Sequence, residues 1–191
     1  MATVREGNRP VMVVVDVQVG VMNDAWDAQR VIGNVSRVVE RARSAATPVI
    51  WVQHSNDELP KGSSQWQWVP ELVPAKGEAL IHKNFNSSFE QTSLESELAK
   101  LGATHIVLAG AATNWCIRAT AYGALDRGYD LTLVKDAHTT GTMQLDNGVT
   151  IEAESVIQEL NIAMRWLEYP GRTNGTANAD DVIFSVPAGI K

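Results

Sequence analysis

The sequence predicts an α/β protein of three layers, αβα, built on a mostly parallel, six-stranded, Rossmann-like open sheet with helices on both faces. Two patterns predict it. Short apolar runs such as VMVVVDV (Val11–Val17) and VIWV (Val49–Val52) are near-continuous rather than alternating, as in strands buried on both faces of a parallel sheet. Between them lie segments with apolar residues at helical spacing, and that alternation calls for right-handed crossovers.

In chain order, Val11–Val17 is the first strand, with Asp16 its only charge. Asp27–Ala46 carries Val31, Val35, Val38, Val39 and Ala42 on one helical face, and Thr47-Pro48 ends that helix. Val49–Val52 is the second strand and leads into Gln53-His54. Ser55–Lys76 is a long loop with two tryptophans, Trp66 and Trp68. A loop of this length in a compact domain is usually functional, so it is either a lid, a surface excursion or a segment covered by a neighbouring subunit. Ala79–His82 is a short strand delivering Lys83. Thr92-Ser93-Leu94-Glu95 has the form of a capping box, opening a helix with Leu94, Leu98 and Leu101 on its apolar side and Gly102 at its end. His105–Ala109 is a strand, Gly110–Trp115 a turn, Cys116–Arg127 a helix closed by Gly128, and Leu131–Val134 a strand. Ile151–Leu160 reads as a helix and Ala163–Leu167 as the last strand. Residues 1–170 then form one domain. The polar segment GRTNGTANA opens a tail, 171–191, whose apolar VIFSV (Val182–Val186) docks on its own or a neighbouring subunit.

Composition excludes several function classes. The chain has 191 residues, ordinary globular composition and a net charge of -6, with its 16 basic residues scattered. Nucleic acid is not an expected partner, because phosphate binding needs clustered Lys and Arg. Met1–Pro10 has no apolar signal core, and no apolar stretch approaches the roughly 20 residues that cross a bilayer. The expectation is a cytoplasmic protein acting on a small molecule. Dinucleotide and P-loop glycine patterns are absent, and the four histidines show no tight metal spacing.

Ligands of open α/β sheets bind beyond the carboxyl ends of the strands. Three reactive side chains fall at such ends: Asp16, Lys83 and Cys116. A thiol at a helix N-terminus meets free N–H groups and a partial positive charge, which favour the thiolate and could hold an oxyanion. Position alone leaves Cys116, the only cysteine, open between nucleophile and buried structural thiol. Asp16 could brace a loop or act as a general base, and Lys83 gains weight as its ion-pair partner. Thr113 and Asn114 suit N-capping of the helix that starts at the cysteine. Gln18, Trp26, His54, Phe89 and Trp115 lie beside these segments and are candidate substrate-binding residues; each could equally be plain core. Cys–His catalysis through His54 or His138 stays open.

VVVDVQ (Val13–Gln18), VIWVQH (Val49–His54), IHKNFNSSFEQTSLESEL (Ile81–Leu98) and VLAGAATNWCIRATAYGALDRGYDLTLVKDA (Val107–Ala137) together resemble the isochorismatase-like cysteine hydrolase family, over about residues 10–167. The resemblance implies a catalytic triad of Asp16, Lys83 and Cys116, a cis peptide at Ala111-Ala112, and an oxyanion hole from the N–H groups of Ala112 and Cys116. It implies hydrolysis of a C–N bond in a small amide, ureido or carbamoyl compound through a thioester, in a homo-oligomer, dimer or tetramer. No cofactor is expected. The Asp-x-His metal motif of the family's nicotinamidases is missing at Gln53-His54-Ser55-Asn56, so no metal is expected either. Isochorismatases proper cleave a vinyl ether without the cysteine, and the presence of Cys116 argues against that chemistry. A ligand-binding or scaffold protein on the same fold is the remaining alternative.

Overall fold

The computed structural model describes residues 2–184. The first strand, β1 (Pro10–Val15), is buried along its whole length. Its side chains alternate between two cores: Val11, Val13 and Val15 face one, Met12 and Val14 the other. The run of valines therefore has no polar face to spare, which is why it reads as continuous in sequence.

The helix α1 (Val19–Met22) is a single turn, and α2 (Ala28–Ser44) turns Val31, Val35, Val38, Val39 and Ala42 onto the second core. The strands β2 (Val49–His54) and β3 (Ala79–Lys83) extend the sheet on one side of β1. The chain then passes through α3 (Leu94–Lys100) and crosses to the other side of β1 with β4 (His105–Ala111). A π-helical turn (Thr113–Ile117) runs into α4 (Arg118–Asp126), followed by β5 (Asp130–Thr139). A small antiparallel hairpin, β6 (Met143–Gln144) with β7 (Thr150–Ile151), precedes α5 (Ala153–Trp166) and β8 (Asn174–Ala177). The main sheet has the order β3-β2-β1-β4-β5-β8, and all its neighbours are parallel. Its direction of growth reverses between β1 and β4, which fixes the crevice for a ligand there. Gly110 makes the closeness of these two strands possible. Its φ is +127°, and a Cβ at that position would lie 1.9 Å from the Val15 carbonyl oxygen.

The end of the chain differs from its sequence reading. Ala163–Leu167 is not a strand: it continues α5, because Ala153, Ile157, Leu160 and Met164 repeat at helical spacing with no Gly or Pro before Pro170. A short apolar run does not by itself distinguish strand from helix. The sixth strand is β8, inside the segment that composition assigned to a loose tail. Asn, Gly, Thr and Ala have little strand preference, and β8 forms because it lies in register on the edge of β5, Leu131 beside Asn174 through Val134 beside Ala177. Beyond it, Ala179, Val182 and Phe184 fill the α2-side core and Arg41 donates to the Val182 carbonyl, so this part docks on its own chain. Ser185 and Val186 of the VIFSV run lie outside the described residues.

The long loop after β2 is strapped down rather than open. Val19 and Gly20 donate to the carbonyls of Gln67 and Gln65, and Val69 donates to Val17. Trp68 packs edge-on against buried Trp51 at 5.3 Å. Trp51 Nε1 donates to Glu78, which Arg43 of α2 grips with two nitrogens. Among the described residues no helix is long and apolar enough to cross a membrane.

Candidate active site

Asp16, Lys83 and Cys116 meet at the crevice. Asp16 follows β1 with a left-handed backbone, φ +51°, and its N–H is held by the Val52 carbonyl. Lys83 ends β3, two strands away, and its side chain crosses the end of β2 to reach the crevice. Lys83 Nζ lies 2.7 Å from Asp16 Oδ2 and 3.1 Å from Cys116 Sγ. It also lies 3.2 Å from His54 Nδ1 and 3.2 Å from the Phe85 carbonyl oxygen. All three side chains are withdrawn from water: Lys83 is 1% exposed, Asp16 2% and Cys116 8%.

Cys116 sits in the π-helical turn after β4, and the peptide bond Ala111-Ala112 just before that turn is cis. The helix proper starts at Arg118, two residues later than the sequence indicated. Thr113 and Asn114 do not cap it. Thr113 Oγ1 is 2.9 Å from His138 Nδ1 instead, while Asn114 accepts from Thr140 Oγ1 and donates to Met143 Sδ of the hairpin. The turn that carries Cys116 is thus pinned to β5 and the β6–β7 hairpin. The capping box before α3 is also unformed: Thr92 Oγ1 accepts from Leu94 N, and Glu95 pairs with Arg127.

The profile described as the isochorismatase domain matches residues 10–156. The chain belongs to the isochorismatase family. It is 28% identical over 152 residues to an uncharacterised isochorismatase-family protein of Bacillus subtilis, covering 76% of this chain and 81% of that one. It is 32% identical over 108 residues to a secreted isochorismatase effector of Verticillium dahliae, covering 54% of this chain and 57% of the effector. It is 30% identical over 152 residues to the streptothricin hydrolase of Streptomyces noursei, covering 74% of this chain and 60% of that enzyme. The chain thus spans little more than half the length of the last two. The fold superposes on an isochorismatase of Pseudomonas putida with a TM-score of 0.82 at 23% identity, covering 94% and 93% of the two chains. It superposes equally, at 0.82 and 17% identity, on a cysteine hydrolase of Pseudomonas syringae pv. phaseolicola, covering 90% and 89%.

In this isochorismatase-family chain the electrostatics of the crevice oppose the thiolate form of Cys116. Burial, seconded by the Asp16 carboxylate, pushes the Cys116 thiol up to about 12, and Lys83 only partly offsets them. Desolvation, which the helix-terminus argument from sequence did not weigh, opposes the thiolate here. Burial also raises Asp16 above the ordinary carboxylate range, opposed by Lys83, Cys116 and His54. A raised carboxyl and a raised thiol, held side by side over one cation, are suited to passing a single proton between them. Burial and the Lys83 charge lower His54, so its neutral Nδ1 can accept from Lys83.

Of the five residues expected to line the pocket, His54 touches the triad. Gln18 is fully buried and braces the backbone: its amide pairs with the N–H and carbonyl of His54 and donates to the Trp66 carbonyl. Phe89 is core, stacked on Tyr129 with Arg127 above it. Trp115 stands beside Cys116 in the turn and is 54% exposed. Trp26 lines a separate cleft with Arg30 and His138. Trp66 lies against His82. Among the described residues no group of His, Cys, Asp and Glu is arranged to hold a metal ion. Sequence reasoning missed the Phe85 carbonyl and the Thr113–His138–Asn161 chain behind the turn, because their partners come from elements far apart in sequence.

Proposed function

We propose that this chain is a cysteine-dependent hydrolase that cleaves the C–N bond of a small amide, ureido or carbamoyl compound. The observation that carries the reading is the buried Lys83 ammonium in contact with both Asp16 and Cys116. Its likeness to a streptothricin hydrolase and, in fold, to a cysteine hydrolase supports the same reading.

In the proposed cycle Asp16 accepts the thiol proton as Sγ bonds to the substrate carbonyl carbon. The N–H groups of Ala112 and Cys116 receive the oxyanion. As the C–N bond breaks, Asp16 gives its proton to the departing nitrogen, which leaves as ammonia or an amine. Asp16 then deprotonates water as it attacks the thioester, the C–S bond breaks, and the proton returns to sulfur. Lys83 compensates whichever partner holds the negative charge, and His54 holds Lys83 in line from behind.

A panel of small amides, ureido acids and carbamoyl compounds assayed for ammonia release tests the reading. Cys116→Ala should lower any turnover found by on the order of 10³-fold or more. Undiminished turnover in that variant would sink the cysteine mechanism.

A further inference from the structure

Outside the catalytic crevice, a cleft of about 340 Å³ opens at the ends of β5 and β8, between α2 and α5. It contains none of Asp16, Lys83 and Cys116. Three cations from three elements line it: Arg30 of α2, Lys135 of β5 and Arg165 of α5. One carboxylate is present, Asp136, and its Oδ1 accepts from the Ala179 N–H at 2.8 Å. Arg30 is engaged by Asp27 and lies over the Trp26 ring at 5.7 Å. Lys135 and Arg165 make no ion pair among the described residues. An excess of positive charge thus collects in one concave place on a chain of net charge -6. Concave, low-dielectric walls of one sign focus the field and draw the opposite charge.

The floor of the cleft makes no competing demand. Asn161 Nδ2 donates to the Lys135 carbonyl at 3.1 Å, which turns its Oδ1 to His138 Nε2 at 3.0 Å. Nε2 therefore carries the imidazole proton, and Nδ1 accepts the Thr113 hydroxyl at 2.9 Å. His138 is 1% exposed, satisfied at both nitrogens and uncharged. The polar groups left for a ligand are the cations of the rim together with the neutral side chains of Gln158, Thr176 and Asn178. Trp26, 37% exposed, adds an aromatic face at the mouth. The volume is at the low end of ligand pockets, about 300–1,000 Å³, which suits a molecule of one ring.

We propose that this cleft is a second ligand site, separate from the hydrolytic centre, that binds a small planar organic carboxylate. Arg165 and Lys135 take the carboxylate, the guanidinium fork matching its two oxygens. The ring lies along Trp26 and Arg30.

Benzoate is the probe, with benzamide as its uncharged counterpart, titrated into the full chain. Binding is followed by calorimetry and by the Trp26 indole N–H signal, identified through Trp26→Phe. Benzoate should move that signal saturably, and more weakly at high salt. Benzamide should bind at least about tenfold more weakly, as should benzoate to Lys135→Gln/Arg165→Gln, since each loses charge-assisted hydrogen bonds. Binding should persist in Cys116→Ala, so this result is independent of whether the hydrolase reading stands. An unmoved Trp26 signal, equal binding of benzamide, or undiminished benzoate binding in the double variant would each overturn the site.

Discussion

Replacing His138 by glutamine should flatten the acid side of the protein's stability curve. Burial lowers the His138 imidazole from its ordinary 6.5 to about 4. Between those values the unfolded chain binds a proton that the native chain does not. Stability is therefore fully present above about 6.5 and is lost as the pH falls toward about 4. A gap of about 2.5 pH units at 1.36 kcal/mol each is about 3 kcal/mol, of which roughly 2 kcal/mol is lost between pH 7 and pH 5. His54, His82 and His105 are lowered by burial too and act with the same sign, while raised Asp16 acts with the opposite sign above its ordinary 3.8. The comparison with His138→Gln isolates the one imidazole. Urea unfolding at pH 7, 6 and 5 measures it, with the variant losing roughly 2 kcal/mol less than wild type over that range. Parallel stability curves for the two proteins would refute the argument that His138 is held neutral behind the Thr113–Ile117 turn.

Lys83→Met should destabilise by about 3–5 kcal/mol in urea, because it leaves the Asp16 carboxylate buried without its cation; adding Asp16→Asn should recover much of that loss, and a single variant as stable as wild type would contradict the pairing. Gly110→Ala should yield little soluble protein in an expression assay, since the new Cβ would meet the Val15 carbonyl and the φ of +127° is closed to alanine. His54→Ala removes one acceptor of Lys83; kcat for any amide identified should fall on the order of tenfold while the urea midpoint moves little, and an unchanged kcat would remove His54 from the positioning of Lys83.

The strands of the buried centre were legible because their environment leaves a local mark. A strand covered on both faces must be apolar at every position, and Val11–Val15, Val49–Val52 and Ile106–Ala109 are. The order of Asp16, Lys83 and Cys116 along the chain was legible too, because each stands at or shortly after the end of an apolar strand. The edge strand Asn174–Ala177 left no such mark: its residues are only half-buried, and its pairing with β5 rather than its composition makes it a strand. The same holds for Gln18, whose sequence neighbourhood suggests a pocket and whose amide is consumed by the backbone of His54 and Trp66.

By itself, then, the sequence determined the sheet's core, the alternation of helix and strand, and which three side chains stand at strand ends. These follow from short-range patterns of hydrophobicity and turn chemistry. Only the tertiary structure decided that Lys83 crosses from β3 to touch both partners, that burial raises the Cys116 thiol, and that three cations from α2, β5 and α5 share a cleft. Those are matters of distance and of desolvation, and both are set by elements far apart in the chain.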